Sequence, residues 1–310
     1  MKAEIIAEIG SNWEGNILTA KKIISECKKA GADAVKFQMW RAHDLYNPKH
    51  PSWKIIKKSE LSFKQVKTLK EFSDKQNIEF FCSVFYPETV EFLEKLGVKR
   101  YKIASRTCLF KDPYSMETLK EISKTGKPVI ISMGMGGNKK KIQKIFHKNK
   151  KLFCYCISEY PLDIKKIVWN KALRYQGFSD HTEGIEISIA AVAMGASVIE
   201  KHFTIDKNLS GPDHAASLEP KELEKLVSSI RNINLAMGDG IKSPSQSELK
   251  NIPIARKSLV AKKVIEKGEK FNNENIIPKR PGDGISPMLW DSVIGKISPK
   301  RFNIDDLIEL

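Results

Sequence analysis

The stretch AEIIAEIGSNWEGNILTAKKIISECKKAGADAVKFQ (3–38) decides the fold. It opens with an apolar, β-branched run at 3–8, a strand pattern. Asn16 then caps a helix whose inner face is Ile17, Ala20, Ile23, Ile24 and Cys27, and Gly31 stops it. A second strand, AVKFQ (34–38), follows at once. Two strands joined through a helix imply parallel pairing.

The same unit recurs outward along the chain. Strands are expected at 78–83 (IEFFCS), 100–104 (RYKIA), 128–132 (PVIIS), 152–157 (LFCYCI), 175–179 (YQGFS) and 197–201 (SVIEK), with helices between them. The helices include 63–76, one opened by Pro87, a lysine-rich one after Gly137, one near 163–173 and one at 184–195. A closing helix carries Leu223, Leu226, Val227 and Ile230 on one face and ends near Gly238. Eight strand–helix repeats predict an α/β (β/α)8 TIM barrel over residues 1–238. No G-x-G-x-x-G follows the first strand, which argues against an open dinucleotide-binding sheet. Residues 239–255 are polar, contain two prolines and read as a linker. Residues 256–310 hold short apolar runs between Gly and Pro turns, a small domain with a thin core that needs something to dock on.

Composition narrows the function classes. The chain has 310 residues, 41% of them hydrophobic, so a substantial core is expected. No run of 18 apolar residues predicts a membrane span, and MKAEIIAEIG reads as a first strand and not a signal peptide. The five cysteines show no C-x-x-C spacing, which disfavours a zinc ribbon or disulfide framework and fits a reducing cytoplasm. The net charge is +16. Its lysines are spread over wet helix faces, as at Lys139, Lys140, Lys141, Lys144 and Lys148, with no interleaved aromatics, so no nucleic-acid partner is expected. A basic surface also attracts small anions.

In a barrel of this kind chemistry sits where the strands end. Those ends read Glu8, Lys36 with Gln38, Ser83, Lys102 with Ser105, Ser132, Ser158 with Tyr160, Ser179 with His181, and His202. Two lysines among hydroxyls describe a site for phosphate or carboxylate. His181 and His202 end neighbouring strands, where they either share one divalent ion or act as hydrogen-bonding side chains. With only two imidazoles and oxygen ligands for the rest, such an ion would be Mn²⁺ or a similar one. Glu8 is placed to act as acid or base.

At these positions the sequence resembles the sialic acid synthase family. The matching motifs are AEIGSNWEGN (7–16), GADAVKFQ (31–38), YKIAS (101–105), KPVIISMGM (127–135), CISEYP (156–161), GFSDHT (177–182), EKHFT (200–204) and GPDH (211–214). In the tail, KRPGDGISP (279–287) resembles the family's antifreeze-like (SAF, β-clip) domain, assigned to 256–310. The resemblance implies a synthase that condenses phosphoenolpyruvate with an amino sugar, adds water and releases phosphate. It implies that Lys36, Ser83, Lys102, Ser105, Ser132, Ser158 and Ser179 hold phosphoenolpyruvate, and that Gln38, Tyr160, Asp213 and Arg280 face the sugar. It further implies that His181 and His202 hold a divalent metal, Mn²⁺ with Mg²⁺ or Co²⁺ as alternatives, and that Glu8 is the catalytic base. Family members are homodimers whose antifreeze-like domain caps the partner's barrel, which would carry Arg280 to the sugar.

Two departures fall on the sugar side. The family's N-H-x-G is Asn12-Trp13-Glu14-Gly15 here, and its S-G-E triplet is Ser105-Arg106-Thr107. N-acetylmannosamine is the default sugar; a diamino-dideoxy hexose, as in legionaminic or pseudaminic acid synthesis, and a 6-phosphorylated sugar are the alternatives. The lost glutamate also motivates a reading of another class, a non-catalytic glycan-binding barrel. Lys36 and Lys102 motivate a third, a Schiff-base aldolase.

Overall fold

The computed structural model describes residues 2–172 and 174–310. The chain divides into two compact units, Met1–Gly238 and Asp239–Leu310. Eight parallel strands close the first unit into a barrel in sequence order. They are β1 (Glu4–Glu8), β2 (Ala34–Met39), β3 (Glu79–Val84), β4 (Tyr101–Ile103), β5 (Val129–Ser132), β6 (Lys151–Cys156), β7 (Gly177–Asp180) and β8 (Val198–His202). β1 pairs with both β2 and β8, with Glu8 opposite Lys36 on one side and His202 on the other.

Side chains alternate along a strand, so every second residue enters the barrel. At the floor, Arg100 bridges Glu4 and Glu79 and lies over the Phe81 ring. Above it Ile6, Ala34, Phe81, Ile130, Cys154 and Val198 form a dry layer. The next residues up, among them Glu8, Lys36, Ser83, Lys102, Ser132, Ser179 and Glu200, form a buried polar layer. The intervening positions face outward and pack with the helices in one large core that includes Ile5, Val35, Phe80, Ile103, Ile131 and Ile199. The helix Ile17–Lys29 begins as its sequence demands, with the Asn16 side chain accepting from Leu18 N at 2.8 Å, and Gly31 leaves it at φ +84°.

Two expectations need correction. Residues 163–173 do not form one helix: a 3₁₀ turn, Ile164–Lys166, and a short helix, Trp169–Ala172, are separated by extended backbone at Ile167, and Leu173 lies outside the described residues. Adjacent β-branched Ile167 and Val168 favour that break. The 239–255 segment is not featureless, because Gln246–Ala255 is a helix capped by a Ser245–Glu248 capping box. The 39–60 loop contains two short helices, Ala42–Leu45 and Trp53–Lys58, over a small cluster of Trp40, Ala42 and Ile56, while His43 and His50 are exposed.

The second unit carries one antiparallel pair, β9 (Ser258–Ala261) with β10 (Ile276–Lys279). Eight buried apolar side chains, led by Phe271 and Phe302, make its core. All five cysteines are buried free thiols. Among the described residues no helix is long and apolar enough to cross a membrane.

Candidate active site at the barrel mouth

The polar layer opens upward into a cleft of about 140 Å³. Twelve of the fourteen residues read from the sequence line it: Glu8, Lys36, Gln38, Ser83, Lys102, Ser105, Ser132, Ser158, Tyr160, Ser179, His181 and His202. Asp213 stands beside it, where its Oδ2 accepts from Ser11 Oγ at 2.8 Å. Gly10 makes that corner possible: at φ +52°, a Cβ there would lie 2.8 Å from Asp213 Oδ2 and 3.4 Å from both Glu8 Oε1 and His202 Cε1. Arg280 belongs to the second unit, where its Nε donates to the Ala255 carbonyl at 3.1 Å.

Both lysines are buried, and each is held by a hydroxyl and a carboxylate. Lys36 Nζ donates to Ser83 Oγ at 2.9 Å and pairs with Glu8, whose Oε1 also accepts from Gln38 Nε2 at 2.6 Å. Lys102 Nζ donates to Ser132 Oγ at 2.8 Å and pairs with Glu200 at 3.2 Å. Glu200 also faces Lys36 at 3.5 Å and accepts from Ser179 Oγ at 2.9 Å. Burial pushes the Glu200 carboxyl up, but Lys102, Lys36 and the Ser179 hydroxyl outweigh it and hold the group down at about 2. Burial also disfavours the Lys102 ammonium, yet Glu200 keeps its pKa above the usual value. A lysine held charged in this way is a poor amine nucleophile, which counts against the Schiff-base reading.

Glu200 lines the cleft and is a residue that sequence reading did not single out. Its signal was present, since it precedes His202 by two residues on one strand and so shares the inward face. Gly134 was missed too. A Cβ there would come within 2.8 Å of both Ser105 Oγ and Ser158 Oγ, and its N–H donates to Ser105 Oγ at 3.0 Å. Of the residues at which the family motifs are broken, Trp13 and Thr107 do not line the cleft and Arg106 does. Trp13 is fully buried in the main core, and Thr107 is turned inward by the 3₁₀ segment Ser105–Leu109. That turn instead presents Arg106 at the mouth, its guanidinium 5.2 Å from the centre of the Phe85 ring, and Phe85, Ala104 and Met135 are the apolar side chains that line the cleft. Arg106 pairs with Asp112 at 2.9 Å.

The two imidazoles stand with ring centroids 5.6 Å apart. His181 Nδ1 lies 2.7 Å from the Ile157 carbonyl. Burial first, and then His202, lowers the His181 pKa to about 4, so the ring is neutral near pH 7. A neutral ring bonded to a carbonyl through Nδ1 must donate there, which leaves a lone pair on Nε2. The His202 Nδ1 is buried without a hydrogen-bond partner. Among the described residues no three His, Cys, Asp or Glu side chains converge. These features fit an ion that keeps open positions for water or substrate oxygens.

Ammonium groups, hydroxyls and imidazoles set at the C-terminal mouth of a (β/α)8 barrel define a barrel enzyme that handles an anionic substrate. The NeuB family matches residues 23–242 and the SAF domain matches residues 256–309, so the chain belongs to the NeuB family, whose synthases use phosphoenolpyruvate and condense it with amino sugars. It is 42% identical to the N,N'-diacetyllegionaminic acid synthase of Campylobacter jejuni over 99% of both chains. It is 35% identical to the human N-acetylneuraminate-9-phosphate synthase over 85% of this chain and 79% of that protein. The crystal structure of the N-acetylneuraminic acid (sialic acid) synthetase of Leptospira borgpetersenii, in complex with citrate, superposes with a TM-score of 0.73 at 33% identity, covering 81% of this chain and 90% of that one.

Proposed function

We propose that the chain condenses phosphoenolpyruvate with an open-chain diamino-trideoxy hexose to give a legionaminic-type nonulosonic acid. The observation that carries the reading is the pair of buried ammonium groups, each already oriented by a serine hydroxyl, beneath two imidazoles at one mouth. The choice of sugar is supported by the 42% identity to the legionaminic enzyme and by the apolar side chains Phe85, Ala104 and Met135, which suit a deoxygenated carbon better than a hydroxyl or phosphate.

In this reading Lys36, Lys102 and the hydroxyls of Ser83, Ser105, Ser132, Ser158 and Ser179 hold phosphoenolpyruvate and fix carbon 3 toward the sugar. The fixed charges Lys36, Lys102, Glu8 and Glu200 sum to zero, and Arg106 is offset by Asp112, so a multiply charged substrate needs further positive charge, which a divalent ion would provide. His181 and His202 would hold a divalent ion, Mn²⁺ foremost, which when bound would supply Lewis acidity toward the aldehyde oxygen. Carbon 3 forms the new C–C bond as the aldehyde C=O π bond opens and its oxygen takes up a proton, and positive charge develops at carbon 2. Glu8 takes a proton from the water that adds there; phosphate then leaves with cleavage of its C–O bond, carrying off the remaining hydroxyl proton as carbon 2 becomes the ketone. Gln38 orients the Glu8 carboxylate, and Tyr160 and Asp213 flank the sugar. In the homodimer we infer, the SAF domain covers the partner's mouth and brings Arg280 to the sugar. The thin core of that unit and exposed Met288 and Leu289, just after the KRPGDGISP motif, support a docking role.

The test is phosphate release from phosphoenolpyruvate and Mn²⁺ with a panel of sugars: 2,4-diacetamido-2,4,6-trideoxymannose, N-acetylmannosamine and its 6-phosphate. The diamino sugar should give the highest kcat/KM. A preference for either of the others refutes the sugar assignment, and no sugar-dependent release from folded protein refutes the synthase reading.

A further inference from the structure

Behind the two histidines lies a second polar cluster that does not touch the cleft. Asp180 and Lys201 are register partners across β7 and β8, one residue before His181 and His202 respectively. Alternation turns the histidines inward and this pair outward, under the helix Glu186–Ala193. The two side chains are 0% and 1% exposed and meet at 2.9 Å. Lys201 Nζ also donates to the Thr182 carbonyl and, at 3.3 Å, lies within reach of Thr182 Oγ1. Asp180 Oδ1 accepts from Thr182 N and Oγ1, both at 2.8 Å, and its Oδ2 accepts from Ser188 Oγ at 2.6 Å. The residues on either side of His181 are thereby tied to the residue preceding His202.

A buried ion pair contributes little stability over apolar packing of the same volume. What this one adds is direction: a set of oriented bonds fixes the end of β7 against the end of β8. On the reading that His181 and His202 hold the divalent ion, we propose that Asp180 and Lys201 form a positioning staple for the metal pair. The staple sets the spacing and tilt of the two imidazoles and hence the affinity for the ion, while staying clear of both substrates. Outer partners of metal-binding imidazoles typically govern affinity by 10- to 100-fold.

The test uses the full-length protein and Mn²⁺ as probe, titrated by electron paramagnetic resonance. Asp180→Asn with Lys201→Met removes both charges together, and the new amide still accepts from Thr182 N and bonds Ser188. The folded double variant should bind Mn²⁺ about 10- to 100-fold more weakly. Saturating Mn²⁺ should restore most of kcat, with KM for phosphoenolpyruvate nearly unchanged. Asp33→Asn, which breaks an ion pair at the opposite end of the barrel, controls for general loosening and should leave Mn²⁺ affinity alone. Thr182→Val, which removes only the hydroxyl bonds, should weaken affinity several-fold and carries the test if the double variant does not fold. Affinity within twofold of the parent in the folded staple variants overturns the proposal. If His202→Ala also leaves Mn²⁺ binding intact, the metal assignment itself fails; if His202→Ala abolishes binding and the staple variants do not weaken it, the staple alone fails.

Discussion

Lys102→Met should damage stability and catalysis through two separable routes. Lys102 is buried and stands 3.2 Å from Glu200. At an effective dielectric of about 20 that contact is worth about 5 kcal/mol in gross attraction. Lys36 remains 3.5 Å from the same carboxylate, so Glu200 is left weakened and not bare. The loss should therefore fall at the low end for a broken buried pair, about 3 kcal/mol. For a unit of this size that lowers the barrel's melting temperature by about 6–12 °C. Catalysis loses a charge-assisted contact to the anion, worth about 2–5 kcal/mol, or about 30- to 5,000-fold in kcat/KM. Adding Glu200→Gln separates the effects, because the amide no longer needs a cation and can still accept from Ser179. The double variant should regain most of the lost melting temperature and none of the lost kcat/KM in a phosphate-release assay. Activity that returns with stability would mean that Lys102 is only structural. Stability that stays lost would mean that an under-compensated Glu200 is not the cause.

Other outcomes follow from the same geometry. His202→Ala should abolish turnover while the circular dichroism spectrum and melting temperature stay near those of the parent; retained turnover would refute the metal assignment. Phe85→Asn replaces an apolar lining side chain with a polar one and should lower kcat/KM for the diamino-trideoxy sugar about 10- to 100-fold relative to N-acetylmannosamine, read as a ratio in competition assays. Asp33 accepts from Ile5 N at 2.8 Å and Arg231 at 2.6 Å. Burial raises its pKa, but the Arg231, Ile5 and Lys2 bonds outweigh this and bring it below the ordinary 3.8. A depressed carboxyl stabilises the fold above the unfolded pKa and loses that contribution as pH falls through the folded one. Asp33→Asn should thus cost about 1–2 kcal/mol at pH 7, and the gap between variant and parent in urea melts should narrow below about pH 3.8. A gap independent of pH would refute the ionic account.

The barrel was legible because each repeat states its own period, two for the strands and about 3.6 for the helices, with Gly or Asn at the joints. The strand-end positions followed from counting, which is why twelve side chains read from the sequence line one cleft. Glu200 escaped because it sits inside a strand and not at its last residue; the inward face, not the end, was the better guide. Ser245-x-x-Glu248 was readable as a capping box but was hidden by the prolines around it. Trp13 and Thr107 misled for another reason. A motif position names a loop, whereas the turn within the loop decides which residue faces the mouth, and here it is Arg106. The Asp180–Lys201 staple went unread because attention fell on the inward face; the residues just before His181 and His202 face outward, and only the strand register shows that they are partners.

The central claim is that phosphoenolpyruvate gives its carbon 3 to the sugar and loses phosphate from carbon 2 with C–O cleavage at this mouth. Phosphoenolpyruvate labelled with oxygen-18 at the bridging C2–O position, turned over with Mn²⁺ and the diamino sugar and followed by phosphorus NMR, tests it most directly. The account predicts that the label leaves with inorganic phosphate, in step with formation of the nonulosonic acid. Unlabelled phosphate with the label retained in the product, or no sugar-dependent phosphate at all, would contradict it.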